Sequence, residues 1–150
     1  MEQRINIHAK GQSALKSLYG MTGYLKKSPV EDSLLELVYF RVSQINKCAY
    51  CLDMHSKDAR HKGETEQRIY GLSAWRETPY YTERERAALG WAEAVTNCSV
   101  PDTIYNEVKN QFSEEELIDL TLAITTVNTW NRINLAFPYE IGTYRVGQFG

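Results

Sequence analysis

Apolar residues recur at helical spacing along nearly the whole chain, and no stretch alternates apolar with polar residues over a useful strand length. The pattern predicts seven helices. A first, weakened by Gly20 and Gly23, covers residues 13–27. Ser28-Pro29-Val30-Glu31 has the residues of a helix start, with Ser28 as cap and Pro29 in the first turn, and the helix behind it runs to about Ile45. Asn46-Lys47 predicts a short turn into a helix from about Cys48 to Lys62, stopped by Gly63. Thr65 caps a short helix to about Trp75, and Thr78-Pro79 breaks the chain. Thr82 with Glu85 and Ser113 with Glu116 are capping boxes, opening helices to about Thr96 and about Phe137. Between them a helix spans Pro101 to about Asn110. The glycine-containing tail after Pro138 is expected to be irregular. The expectation is an all-α fold, about six to seven helices in a single domain over residues 1–150, with no repeat or linker.

Composition narrows the function classes. Hydrophobic residues make up 43% and charged residues 24%, enough for a folded core. A net charge of −2 gives no basic field, so no nucleic-acid partner is expected. No apolar run approaches a membrane span, and the opening MEQRINIHAK is polar rather than leader-like. Three cysteines, an odd number, argue against a secreted disulfide framework, so a cytoplasmic location is expected.

In a reducing compartment a close cysteine pair draws attention, and residues 48–55 read CAYCLDMH. On a helix at about 100° per residue, Cys48, Cys51, Leu52, His55 and Ala59 fall within one arc, and Asp53, Lys57 and Arg60 lie opposite. Cys51 and His55 are four apart and therefore neighbours. Cys48 stands at the helix start, where free N–H groups favour a thiolate. Haem attachment needs histidine directly after the second cysteine, where Leu52 stands. Zinc lacks an evident fourth ligand, since His61, His8 and Cys98 are poorly spaced for it. A buried structural thiol pair and a redox dithiol remain, and a Cys-x-x-Cys pair at a helix start favours the dithiol.

The preceding helix supplies a possible partner. Leu34, Leu35, Val38, Tyr39, Val42 and Ile45 form a broad apolar face that Leu37 and Phe40 extend. That face is wider than one neighbour covers, which argues for a subunit contact. Glu36 lies in angle between Tyr39 and Phe40, and a carboxyl there needs a partner. If the chain reverses at Asn46-Lys47, Glu36 and His55 are near-equally far from the turn and come side by side. Carboxylate, imidazole and thiol would then form a proton relay. Asn128, Asn131, Arg132 and Asn134 interrupt an apolar run; they tie elements together or belong to the site wall. His8, His61 and Cys98 are read as surface or packing residues.

Glu36, twelve positions before Cys48, followed by Cys48-x-x-Cys51-x-x-x-His55, resembles the AhpD-like alkylhydroperoxidases of the carboxymuconolactone decarboxylase superfamily. The likeness extends over residues 36–77, 82–96 and 129–137. It implies an all-helical fold assembling as a homotrimer or hexamer. It also implies a thiol-dependent peroxidase with a hydroperoxide substrate and a dithiol reductant, using neither haem, flavin nor metal. By that pattern Cys51 attacks the peroxide, Cys48 resolves, and His55 with Glu36 moves protons. The best-known peroxidases of the family carry histidine directly before the second cysteine. This chain has Tyr50 there, a far weaker base near neutral pH, and the departure bears on rate and substrate. The rival functions are a non-enzymatic thiol switch and a zinc-binding helical module.

Overall fold

The computed structural model describes residues 4–149, and among these it contains helices but no strand. The helices are α1 (Ile7–Lys10), α2 (Gln12–Leu25), α3 (Asp32–Ile45), α4 (Ala49–His61), α5 (Glu66–Gly71), α6 (Glu83–Thr96), α7 (Asp102–Lys109) and α8 (Glu114–Ala136). A 3-10 segment, Leu72–Glu77, continues α5, with Ala74 out of helical geometry. Both capping boxes form, at Thr82/Glu85 and Ser113/Glu116, and Gly63 ends the α4 region with a positive φ of 95°. The short α1 was not expected, although Asn6 caps it by accepting from the N–H groups of His8 and Ala9.

One expected cap is not used. Helix α3 begins at Asp32, and Ser28 lies outside it. The Ser28 hydroxyl donates to the Asp119 carboxylate at 2.6 Å, where Tyr24 also donates at 2.8 Å. Asp119 is buried, and the Ser28 oxygen accepts from the Val30 N–H at 3.2 Å, ahead of the helix rather than in the first turn of α3.

Helix α3 is the centre of the molecule, packing on α4, α6 and α8. Leu34, Leu35, Val38 and Val42 face a core completed by Ala88 and Ala92 of α6 and Leu120, Ala123 and Ile124 of α8. Leu37 and Phe40 face a second cluster with Ala59, Ile69, Leu72, Trp75 and Leu89. The wide apolar face of α3 is therefore covered within the chain, and it gives no argument for a subunit contact. Exposed apolar side chains lie elsewhere, among them Ile118 and Leu135 on α8 and Ile141 in the tail.

Helices α3 and α4 run antiparallel, as three nested pairs show. The Cys48 N–H donates to the Ser43 carbonyl at 3.1 Å, His55 meets Glu36, and Lys62 reaches Asp32. Lys47 in the turn has a positive φ of 56°. The turn is fixed from outside by amides of α8. The Asn46 side chain donates to Asn128 and Asn131, both at 2.9 Å, and Asn131 donates to the Ser43 hydroxyl at 3.0 Å. Asn131 is fully buried. Asn131→Ala leaves both partners short of a bond, and a stability loss of about 1–3 kcal/mol is expected. Urea unfolding with an unchanged slope and a lowered midpoint checks this.

Candidate active site

The N-terminus of α4 carries the two cysteines. Cys48 is the N-cap residue, its sulfur accepting from the Cys51 N–H at 3.4 Å, and Cys51 sits in the first turn. The two are joined as a disulfide with a Cα separation of 5.3 Å. Both are almost wholly buried. One turn further on, His55 Nδ1 lies 3.2 Å from Glu36 Oε2 across the α3–α4 contact. The sequence places these four residues together, and the structure brings them to one locus.

Lys62 and Asp58 were not foreseen from the sequence, and Asn134 was foreseen only as one of four residues that tie elements together or belong to the site wall. Lys62 Nζ donates to Glu36 Oε1 at 2.8 Å and approaches Asp32 at 3.2 Å. Glu36 is thus held on both oxygens, by imidazole and by ammonium. Burial pushes its carboxyl up, but the His55 and Lys62 contacts outweigh burial and hold it below its ordinary value. Asp58, one turn beyond His55, accepts from the Tyr144 hydroxyl at 2.9 Å on each oxygen. Burial raises the Asp58 carboxyl, opposed by the Tyr144 bond and reinforced by the Glu36 charge. Asn134 of α8 donates its amide to Cys51 Sγ at 3.4 Å. Of the polar residues of α8, Asn128 and Asn131 tie elements together, Arg132 is exposed, and Asn134 reaches the sulfur.

These groups border a cavity of about 620 Å³. Cys51, His55, Glu36, Asp58 and Asn134 are on its wall, and Cys48 is not. His8 also borders it, packed on Tyr139 with ring centroids 4.6 Å apart, so it is a wall residue rather than a bystander. Tyr50, at the position of departure, stacks on Tyr139 at 4.8 Å. The ring of Tyr39 lies 5.3 Å from that of His55. Cys98 is free and exposed, and it does not border the cavity.

A metal fits poorly. Glu36, His55 and Asp58 offer ligand atoms within 4.8 Å of one another. Lys62 and Tyr144 already hold the two carboxylates, and both α4 cysteines are consumed in the disulfide. What the arrangement can do is move protons and electrons at sulfur. A thiol next to imidazole, itself hydrogen-bonded to an ionised carboxylate, has the parts of an activated nucleophile.

Glu36 also predicts acid behaviour. Its folded carboxyl is depressed, as are those of Glu93, Glu31 and Glu116. A depressed carboxyl stabilises the fold fully above its unfolded value, and that stability is lost as pH falls through the folded value. Asp58, raised, works in the opposite direction. The urea midpoint is therefore expected to be flat down to about pH 5 and to drop below about pH 4.5. A midpoint unchanged to about pH 3.5 would contradict the pairing of these carboxylates.

Comparison with known proteins adds to the geometry. Residues 12–94 match the Carboxymuconolactone decarboxylase family. The uncharacterized protein YdfG of Bacillus subtilis is 43% identical over 139 residues, covering 91% of this chain and 95% of that one. The uncharacterized YnjA of Escherichia coli is 30% identical over 113 residues, 74% of this chain and 62% of that one. The crystal structure of ATU0492 from Agrobacterium tumefaciens superimposes with a TM-score of 0.90 at 40% identity, covering 95% of this chain and all of that one. ATU0492 is a protein of unknown function provisionally assigned as the antioxidant defence protein AhpD.

Proposed function

We propose, from the premise that the chain belongs to the carboxymuconolactone decarboxylase family and is AhpD-like, that it is a thiol-dependent peroxidase acting on hydroperoxides. One observation carries the reading. Of the two bonded cysteines, Cys51 borders the cavity, and it does so together with His55 and the Glu36 that His55 meets.

In the reduced protein His55 takes the proton from the Cys51 thiol. The sulfur attacks the distal peroxide oxygen, so an S–O bond forms and the O–O bond breaks. The leaving alkoxide takes the proton back from His55 and departs as the alcohol. Cys51 is now a sulfenic acid. The Cys48 sulfur then attacks it, forming the S–S bond and releasing hydroxide, which leaves as water with the Cys48 proton. In this reading a Cys48–Cys51 disulfide, the bond the structure holds, is what the half-cycle leaves, and an external dithiol restores both thiols by exchange. Asn134 positions Cys51 and favours its thiolate, and Glu36 orients His55 and supports its protonated form.

Turnover is the test. With a dithiol reductant present, the protein is expected to consume many equivalents of hydroperoxide. Consumption of a single equivalent would instead make the pair a thiol switch. We further propose a homotrimer or hexamer, with Ile118, Leu135 and Ile141 among the apolar residues available for contact. Light scattering that finds a monomer at micromolar concentration removes this part.

A further inference from the structure

The wall of the cavity around Cys51 has a chemical character of its own. Tyr50 and Tyr139 stack at 4.8 Å, and Tyr19 packs on Trp130 at 5.4 Å. Tyr39 and Phe149 are on the same wall. We propose that the cavity selects hydroperoxides whose organic part is an uncharged aromatic group. This rests on the peroxidase reading of Cys51 and names the substrate class of that site.

Size is the first argument. At about 620 Å³ the cavity has the volume of a site for a drug-sized ligand. Hydrogen peroxide would leave nearly all of it empty and would gain nothing from its walls. Ring chemistry is the second. Tyr50 precedes Cys51 in the chain and stacks on Tyr139, Trp130 lines the same cavity, and Tyr39 lies beside His55. Such rings favour a flat, apolar guest through offset stacking and edge contacts.

Charge is the third. Lys62 pairs with both Glu36 and Asp32 at one part of the wall, Asp58 is held by Tyr144, and Lys26 and His61 also border the cavity. The aromatic part is neutral near pH 7. Burial raises the Tyr50 hydroxyl, and it pushes that of Tyr139 up to about 12. His8 is lowered by burial, which favours its uncharged form, and its Nδ1 meets the Tyr19 hydroxyl at 3.2 Å. An ionised organic part would lose its hydration against these rings without gaining a counter-charge from them.

The test compares two tertiary hydroperoxides whose O–O chemistry is alike. Cumene hydroperoxide carries a phenyl ring where tert-butyl hydroperoxide carries a methyl group. Burying the ring is expected to raise kcat/KM by about 10–100-fold. Trp130→Ala and Tyr139→Ala are expected to pull that ratio toward one. A ratio near one in the unaltered protein overturns the proposal.

Binding is read separately with unreactive alcohols on the Cys51→Ser protein. Ligand-observed saturation-transfer NMR should detect 2-phenylpropan-2-ol and not tert-butanol. Equal signals from the two, or none from the phenyl alcohol, overturn aromatic selection even if turnover is seen. If the phenyl alcohol binds but no hydroperoxide is turned over, the peroxidase chemistry falls and aromatic selection stands.

Discussion

Cys51→Ser is expected to consume peroxide no faster than buffer, whereas Cys48→Ser is expected to react once and stop with a sulfenic acid on Cys51. Two forces compete for which sulfur attacks. Cys48 caps α4 and its sulfur accepts from the Cys51 N–H, so the helix terminus favours it as thiolate by about 0.3–1 kcal/mol. Cys51 is one turn from His55, and a base next to the nucleophile contributes ~10²–10⁴ in rate, about 3–5 kcal/mol. The base outweighs the dipole. Access points the same way, because Cys51 borders the cavity and Cys48 does not. The Asn134 amide adds a donor to the Cys51 sulfur. A dimedone-type reagent after one equivalent of hydroperoxide should label Cys48→Ser at Cys51, since no second thiol resolves the sulfenic acid. Rapid labelling of Cys48 in the Cys51→Ser protein would reverse the assignment and make this a thioredoxin-like dithiol.

Glu36→Gln is expected to lower peroxidase kcat by ~10²–10⁴ with the fold intact and KM for peroxide little changed. Glutamine keeps the shape and one acceptor oxygen facing His55. It removes the charge that supports protonated imidazole when the thiol proton is in transit. It also leaves Lys62 with Asp32 as its remaining carboxylate partner. Because Glu36 acts through His55, a second readout separates it from a packing residue. The pH profile of kcat should change in Glu36→Gln, while unfolding by urea at neutral pH should shift far less. Turnover within about twofold of the unaltered protein would return Glu36 to the role of an ordinary helix carboxylate.

The Glu36–His55 pair was legible because it depends on counting alone. Two helices joined by a two-residue turn bring together residues equally far from it, and the measured separation is 3.2 Å. Capping residues at Thr65, Thr82 and Ser113 were legible for a similar reason, since each acts within three residues of itself. The failures are long-range. Ser28 carries a local cap signal, but its hydroxyl donates to Asp119, 91 residues away, and α3 begins only at Asp32. Asn134 reaches Cys51 across 83 residues, and no local pattern separates it from Asn128 or Asn131. Lys62 was read as the end of the predicted helix, yet its long stem carries the ammonium back to α3. Asp58 could have been found. It lies three residues after His55, which places it on the same helix face. The apolar breadth of α3 was legible, but its meaning was not. A central helix and a helix at a subunit contact have the same pattern, and only the arrangement of α4, α6 and α8 distinguishes them.

The family match ends at residue 94, and that boundary divides the site. Glu36, Cys48, Cys51, His55, Asp58 and Lys62 all precede it, so the groups proposed to handle electrons and protons are within the matched portion. Trp130, Asn134, Tyr139, Tyr144 and Phe149 come after it, from the end of α8 and the tail. The cavity wall draws on both parts, with Tyr19, Tyr39 and Tyr50 before the boundary and Trp130, Tyr139 and Phe149 after it. A change at residues 130–149 can alter which molecule is admitted without disturbing a single hydrogen bond between Glu36, His55 and Lys62. On the proposed reading, two relatives with identical α3–α4 hairpins need not share a substrate.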